Sequence, residues 1–363
     1  MILIYLVFFF LILRFTVTLF NFISNPQLTS SGKQYNDKVS ILIPARNEAH
    51  NIEALLSSVY LQNYQNIEVI VLDDHSEDET YKICQGYANK DLRFIALKGS
   101  ALPDGWLGKN YACCQMAEIA SGEYLLFLDA DEIVENGLIN NAVHRMKTNR
   151  LTLLSLFTNQ VMVTLGEKLV VPLMHFLLLN LLPLRLVRLS GNPAFSAASG
   201  QFMLFEARNY QQYKWHTMVK DKVVEDIEIM KLVKSFKFRA EALLANGYIK
   251  CRMYRNLNQA MDGFSKNMLA GFNYSLPGIF SYIFLIMMGP VAIGYYLNIQ
   301  LFSFAVSLII LSRIMISVSA GQNPFINILL HPFQMFFLLI LSFLSVKKYF
   351  SKTIKWKGRT IHT

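Results

Sequence analysis

Three short apolar runs, each ending in polar residues, hold the side chains of this sequence best suited to chemistry. Residues 39–48 read VSILIPARNE, residues 67–76 read IEVIVLDDHS, and residues 122–131 read GEYLLFLDAD. Each run is short and rich in β-branched or aliphatic residues, as a buried parallel strand is. In an open α/β sheet, ligands bind beyond the carboxyl ends of the strands, where Arg46, Glu48, Asp74, Asp129 and Asp131 fall. Two carboxylates one residue apart on an extended chain point to the same side. Asp129 and Asp131 therefore suit a divalent cation, Mg or Mn, completed by water and phosphate oxygens. Arg46, on the first strand-end loop, has the planar fork that grips phosphate. Asp74 can accept hydrogen bonds from a uracil imide or a ribose. Lys109 follows a Gly-Trp-Leu-Gly turn and opens a helix, a suitable place for an anion, and Trp106 in that turn could stack on a sugar or mark a membrane interface.

The elements that must position these groups are legible along residues 39–157. Strands are expected at 39–43, 67–72, 92–97, 124–129 and 151–157, with helices at 48–61, 77–88, 109–120 and 135–147. This alternation implies a mainly parallel α/β sheet with right-handed crossovers. Further on, VVEDIEIMKL at 223–232 has apolar residues near helical spacing, which places Glu225 and Asp226 at a helix start. The same acids would also suit a helix N-terminus for purely structural reasons.

Composition adds a second environment. Of 363 residues 53% are hydrophobic and 16% charged, with a net charge of +9. The apolar excess is concentrated at 1–24 and 276–346, in runs long enough for helices across a hydrocarbon core of ~30 Å. The first run lacks a basic start and a cleavage site, so it reads as an anchor and not a signal peptide. Residues 38–268 have globular texture. Within them, 168–190 is apolar but broken by Pro172 and Pro183, which suits an amphipathic element in the membrane interface. The basic tail 347–363 follows an apolar run and suits anionic headgroups, which makes the membrane the partner and excludes nucleic acid. Three full spans after a cytoplasmic domain would carry that tail outside, against the positive-inside bias. One of the three stretches is therefore expected to be re-entrant or interfacial. The four cysteines show no metal-ligand spacing and read as reduced thiols.

Pro44-Ala-Arg46-Asn47-Glu48, Asp73-Asp74, Asp129-x-Asp131 and Glu225-Asp226 occur in the order found in family 2 glycosyltransferases of GT-A fold, and this chain resembles them over about 39–260. Asp104-Gly-Trp106-x-Gly108-Lys109, Arg252-Met-Tyr254 and the tail Trp356 to Arg359 make it most similar to bacterial membrane-bound members associated with carotenoid-acid and hopanoid glycosylation. The resemblance implies a UDP-sugar donor, with Pro44, Arg46, Glu48, Asp74, Lys109 and Asp129 around the nucleotide sugar and Asp131 with Asp129 on the metal. It implies inversion by direct displacement, with Asp226, aided by Glu225, taking the acceptor proton. Gly200, Gln201, His216 and Trp106 fall on the acceptor side in this reading. Lys214-Trp215 replace the two glycines that often precede the family's histidine. The Gln-x-x-Arg-Trp motif of processive members is absent; Cys251-Arg-Met-Tyr-Arg-Asn256 stands there instead. Single transfer to an apolar lipid, carotenoid or hopanoid acceptor at the cytoplasmic membrane face is therefore expected, with 168–190 and the C-terminal block shaping the acceptor entrance. A processive synthase and a non-catalytic membrane scaffold are the alternatives.

Overall fold

The computed structural model describes residues 2–296, 299–351, 355–356 and 359–360. Of the basic tail, 352–354, 357–358 and 361–363 lie outside the described residues, as does part of the Trp356 to Arg359 motif. The chain forms two compact units. A sheet unit comprises Pro26–Asn159 and Arg185–Arg252, and a helical unit comprises Met1–Asn25, Gln160–Leu184 and Met253–Thr363.

The sheet unit is built from β1 (Val39–Ala45), β2 (Ile67–Asp73), β3 (Phe94–Lys98), β4 (Tyr124–Leu128), β5 (Glu132–Val134), β6 (Leu153–Phe157), β7 (Asn159–Gln160), β8 (Phe202–Glu206), β9 (Ala240–Leu244) and β10 (Ile249–Cys251). Seven of them form one sheet in the order β3-β2-β1-β4-β8-β6-β9. β1 runs parallel to β2 and β4, β2 to β3, and β6 to β9, whereas β8 is antiparallel to both β4 and β6. Ala45 pairs with Asp73, so β1 and β2 end level and their loops leave the same edge. Ile41, Ile43, Val69 and Val71 are fully or almost fully buried, with helix residues Leu55, Val59, Ala142 and Val143 in the same core. Each such aliphatic side chain contributes ~1.5–3 kcal/mol relative to exposure. Gly122 starts the approach to β4 where a Cβ would stand 2.5 Å from the Ser40 hydroxyl, so only glycine fits.

In the helical unit, Ile2–Ser24, Leu276–Tyr296, Ile299–Ser319 and His331–Ser351 are helices. All four contain a stretch long and apolar enough to cross a membrane. The stretch read from sequence as one element over 168–190 is three helices, Leu165–Val170, Pro172–Leu181 and Leu186–Leu189. Thr164 and Glu167 cap the first of them reciprocally. The sequence assigned 160–184 and 253–268 to the globular domain. In the structure they pack within the helical unit, where Gly166 lies against Leu257 so closely that a Cβ would stand 2.7 Å away.

A buried charge cluster ties the last strand of the sheet. Glu241 on β9 is 1% exposed and accepts from Arg145 Nε at 2.6 Å, Arg145 Nη2 at 2.7 Å and Arg188 Nε at 2.9 Å. Arg185 Nη1 also stands 4.0 Å from Glu241 Oε1, so Glu241→Ala leaves three guanidiniums without their carboxylate. It is expected to lower the stability of the sheet unit by about 3 kcal/mol, the low end for a buried pair because all three arginines remain partly in water. Thermal unfolding followed by tryptophan fluorescence should show a fall of several degrees, and an unchanged midpoint would refute this account of the cluster.

Candidate active site

The first two strand-end loops are held together by backbone geometry that the sequence supports locally. Asn47 and His75 adopt positive φ of 52° and 58°. Asn47 N donates to Ser76 Oγ at 2.9 Å, and Glu77 N donates to Asn47 Oδ1 at 2.9 Å. Glu48 N donates to Thr80 Oγ1, and its carboxylate accepts from Asn51 Nδ2, both at 2.8 Å. Arg46 Nη1 donates to the Asp74 carbonyl at 2.6 Å, and Asp74 N returns a bond to the Ala45 carbonyl at 2.8 Å. Pro44, Arg46, Glu48 and Asp74 therefore share one edge of the sheet, with Asp74 buried there and His75 Nδ1 3.3 Å from its carboxylate.

A second group gathers around Gly200, just before β8. Lys109 Nζ lies 2.7 Å from Asp129 Oδ1 and 3.0 Å from Glu225 Oε1. Asp226 Oδ2 accepts from Gly200 N at 2.9 Å and its Oδ1 from Ile227 N at 2.8 Å. A Cβ at position 200 would stand 2.9 Å from Lys109 Nζ and 3.1 Å from Glu225 Oε1. The glycine is thus a close-approach position between three charged groups. Gln201 is buried; its carbonyl accepts from Asp129 N at 3.3 Å and its side chain accepts from Thr158 Oγ1 at 2.9 Å. Asn110, next to Lys109, fixes the segment before Glu225 by donating to the carbonyls of Val219, Lys220 and Lys222.

Charge decides the protonation of this group. Burial alone would depress the Lys109 ammonium, but Asp129 and Glu225 outweigh it and hold its pKa well above the usual range. Burial, then the neighbouring Glu225, raises the Asp226 carboxyl to about 7 in spite of the two backbone N–H groups that favour its anion. Lys109 is engaged by two carboxylates, a different position from the direct phosphate contact read from sequence. His216 is also placed differently. It is 2% exposed, bonded through Nδ1 to the Tyr210 hydroxyl at 2.6 Å and set against Phe127 at 4.6 Å between centroids. Burial lowers its pKa to about 3, so it is a neutral core residue and not a group on the acceptor side. Trp106 packs edge-on against Tyr111 at 5.3 Å.

Asp131 brings two residues that the sequence gave no reason to select. Donor atoms of Asp131, Glu132 and Cys251 all lie within 4.8 Å of one another. Glu132 on β5 and Cys251 on β10 are direct cross-strand partners, a pairing between remote segments that no local pattern announces. Glu132 is fully buried, and neither of its carboxylate oxygens meets a conventional hydrogen-bond donor. Burial, then Asp129 and Glu48, raises the Asp131 carboxyl to about 7, and burial pushes Glu132 and the Cys251 thiol well above their ordinary values. Crowded carboxylates whose shared contact is the weak Cys251 S–H donor fit a divalent cation: Asp131 and Glu132 would hold it, with Cys251, kept as a thiol, a weak third donor.

An open, mainly parallel α/β sheet with an acidic cluster beyond its first, second and fourth strands is the architecture of a domain of GT-A fold. Residues 40–207 match the family model described as Glycosyl transferase family 2. The UDP-Glc:alpha-D-GlcNAc-diphosphoundecaprenol beta-1,3-glucosyltransferase WfaP of Escherichia coli is 37% identical over 112 residues, 31% of this chain and 42% of its own length. A 4,4'-diaponeurosporenoate glycosyltransferase of Staphylococcus haemolyticus is 25% identical over 254 residues, 69% of this chain and 66% of that one. The chain thus spans less than two thirds of the length of either relative. Among solved structures, the mannosyltransferase PcManGT from Pyrobaculum calidifontis, in complex with GDP-Man and Mn²⁺, superposes with a TM-score of 0.56 at 16% identity, over 96% of this chain and 99% of that chain. At that identity the likeness speaks for the fold.

Asp131→Asn removes the most accessible carboxylate of the metal-capable group. It is expected to weaken Mn²⁺ binding at least tenfold, measured by calorimetry on the full chain, with the unfolding midpoint nearly unchanged. Undiminished binding in the variant would move the ion elsewhere.

Proposed function

We propose that this protein is an inverting, non-processive glycosyltransferase that moves one hexose from a UDP-sugar to an apolar, lipid-like acceptor at the cytoplasmic face of the membrane. The observation that carries the reading is the carboxylate of Asp226. It is fixed by Gly200 N and Ile227 N, with Glu225 next to it and linked through Lys109 to Asp129. A base with a pKa near 7 accepts a proton efficiently at neutral pH. In the reaction an acceptor hydroxyl oxygen attacks the anomeric carbon, the bond from that carbon to the diphosphate breaks, and the hydroxyl proton passes to Asp226. Arg46 and Asp74 orient the nucleotide, while Lys109 keeps Asp129 and Glu225 in register. Asp131 and Glu132 would hold a divalent cation, Mg or Mn, which when bound would supply counter-charge to the departing diphosphate. The names of the relatives, one a UDP-Glc enzyme with a diphosphoundecaprenol acceptor and one acting on diaponeurosporenoate, support a UDP-sugar donor and an apolar acceptor.

A carboxylate acceptor is already ionised near neutrality and needs no base, whereas a hydroxyl does. General-base assistance contributes about 10²–10⁴-fold. Asp226→Asn is expected to lower kcat by about that factor with sugar-nucleotide affinity unchanged. The wild-type rate should rise with pH through about 7 as the carboxyl loses its proton, and that limb should vanish in the variant. A loss below about threefold would show that no base is used and would select a carboxylate acceptor. Loss of nucleotide binding would place Asp226 on the donor side.

Orientation follows from polar contacts within the helical unit. Near the start of His331–Ser351, Gln334 Nε2 donates to the Lys168 carbonyl at 2.9 Å. Near its end, Lys348 Nζ meets Asp262 Oδ1 at 2.6 Å and Ser265 Oγ at 2.7 Å on the helix Leu257–Gly271. That helix also carries Lys266 and cannot lie in hydrocarbon. In this reading His331–Ser351 lies along the interface, two C-terminal helices cross, and the basic tail stays in the cytoplasm. Green fluorescent protein fused after residue 363 should therefore fluoresce in cells, and alkaline phosphatase fused there should be inactive. An active phosphatase fusion would make His331–Ser351 a third crossing.

A further inference from the structure

The Asp226 carboxylate is held by two backbone amides of different origin. Ile227 N belongs to its own helix, Glu225–Ser235, whereas Gly200 N reaches it from across the site. The geometry of that second bond depends on where the chain around residue 200 is fixed. Gly200 and Gln201 form a tight turn, closed by Phe202 N donating to the Ser199 carbonyl at 3.3 Å, and β8 starts directly after it. The turn's own peptide groups bond to site residues. Gly200 N donates to Asp226 Oδ2 at 2.9 Å, and the Gln201 carbonyl accepts from Asp129 N at 3.3 Å.

This turn is clamped from β6, a strand that supplies no charged residue to the site. Ser155 is fully buried there, and its hydroxyl spends its donor and an acceptor lone pair on one residue: Oγ donates to the Ser199 carbonyl at 3.1 Å and accepts from Ser199 N at 2.8 Å. The peptide groups on both sides of Ser199 are therefore fixed, and its carbonyl is the one that closes the turn. Ser155 is itself well anchored. It pairs with Met203 on β8 and Ala242 on β9, so it lies on an interior strand bonded along both edges. Thr158, also fully buried and just beyond β6, donates to Gln201 Oε1 at 2.9 Å, and Ser199 Oγ meets the same atom at 3.3 Å.

Alanine at 155 would leave the buried Ser199 N–H without its acceptor, and the turn would resettle to find another. That movement passes directly to Asp226 and Asp129, because the turn bonds both. A displacement of about 1 Å in a group that takes part in a reaction can cost ~10²-fold in rate. The bond from Gly200 N also favours the carboxylate anion, so its loss raises the pH at which Asp226 becomes a base. The charged groups that face Asp226 are Glu225, next to it, and Lys109, from the helix Gly108–Ile119; Ser155→Ala alters neither.

We propose that Ser155 is a positioning residue for the transfer reaction, clamping through Ser199 the turn that presents the Gly200 N–H to Asp226. The inference rests on the reading of Asp226 as the base. The test compares pH–rate profiles of the full chain with those of Ser155→Ala, Ser155→Thr and Asp226→Asn. The rate is read as UDP released from UDP-glucose or UDP-N-acetylglucosamine, whichever the wild type turns over, with a lipid extract as acceptor. Infrared titration of the carboxyl band that disappears in Asp226→Asn reads the same midpoint without turnover. Ser155→Ala is expected to lower kcat about tenfold, with KM for the sugar nucleotide within about twofold, and to move the rising limb and the infrared midpoint to higher pH by about one unit. Ser155→Thr keeps the hydroxyl and should hold both near the wild-type position; an equal shift in it would show that the hydroxyl is not what acts and would overturn the inference. A purely structural serine would lower the unfolding midpoint and leave the limb in place, so an unmoved limb in folded Ser155→Ala would also overturn it. If Ser155→Ala does not fold, Ser155→Cys decides: the thiol is close in size and bonds weakly, the limb should move the same way, and an unmoved limb would be equally fatal. A limb that survives in Asp226→Asn would remove the base and this inference together. A limb that vanishes there and stays unmoved in the Ser155 variants would refute this inference alone.

Discussion

One ammonium sets the geometry of the sheet unit's site. Lys109 Nζ bridges Asp129, at the end of β4, and Glu225, at the start of a helix far along the chain. Without it, Asp129, Glu225 and Asp226 would be like charges in a poorly solvated space, and each would favour a rotamer away from the others. With it, the end of β4 and the segment that carries Glu225 and Asp226 are joined in one constellation. Gly200 is the steric half of the same constraint, since any side chain there would occupy the space of the lysine and of Glu225. The placement of the acids thus depends on a cation and a glycine that take no proton themselves.

The same cation explains why the site remains electrostatically unfinished. Lys109 offsets two carboxylates, but Asp131 faces Asp129 and Glu48 with no comparable partner, and Glu132 lies fully buried beside it. Crowded carboxylates in a low-dielectric setting either take up protons or recruit a metal ion. Both responses serve diphosphate chemistry: the first poises groups near neutral pH, the second provides the positive charge that an anionic leaving group requires.

The sheet was legible in the sequence because its signals are local. Strands such as β1 and β2, buried on both faces, read as continuous apolar runs, and the helices between them alternate at fixed intervals. Asp74, Asp129 and Asp226 were legible for the same reason, each sitting next to a recognisable element. What the sequence could not display was pairing between distant segments. Cys251 and Glu132 meet only because β10 pairs with β5. Lys109 was read as a phosphate contact because its turn looks like an anion site, while the carboxylates that hold it come from elsewhere. His216 has the composition of a catalytic residue and the burial of a core residue, and only the surrounding Phe127, Phe205 and Tyr210 distinguish the two. His175 and Asn180, polar residues within the apolar stretch 168–190, are buried partners of a polar network: His175 meets Gln322 at 3.3 Å and Asn180 meets Arg14.

The two units are incomplete in opposite senses. In the sheet unit, Asp131 and Glu132 crowd together, each carboxyl pushed up by burial and by neighbouring carboxylates. In the helical unit, the Arg313 guanidinium is buried without an acid among the described residues. A folded chain tolerates an unpaired buried charge only at a cost of several kcal/mol, and where nothing structural depends on it a hydrophobic residue of similar size is more stable. Both units nonetheless keep the charged residue. In the sheet unit, the physical reading is that the crowded carboxylates of Asp131 and Glu132 suit a ligand of opposite sign, a divalent cation. On that reading, the crowding of these two carboxylates is the part of the sheet unit that suits it to a metal ion.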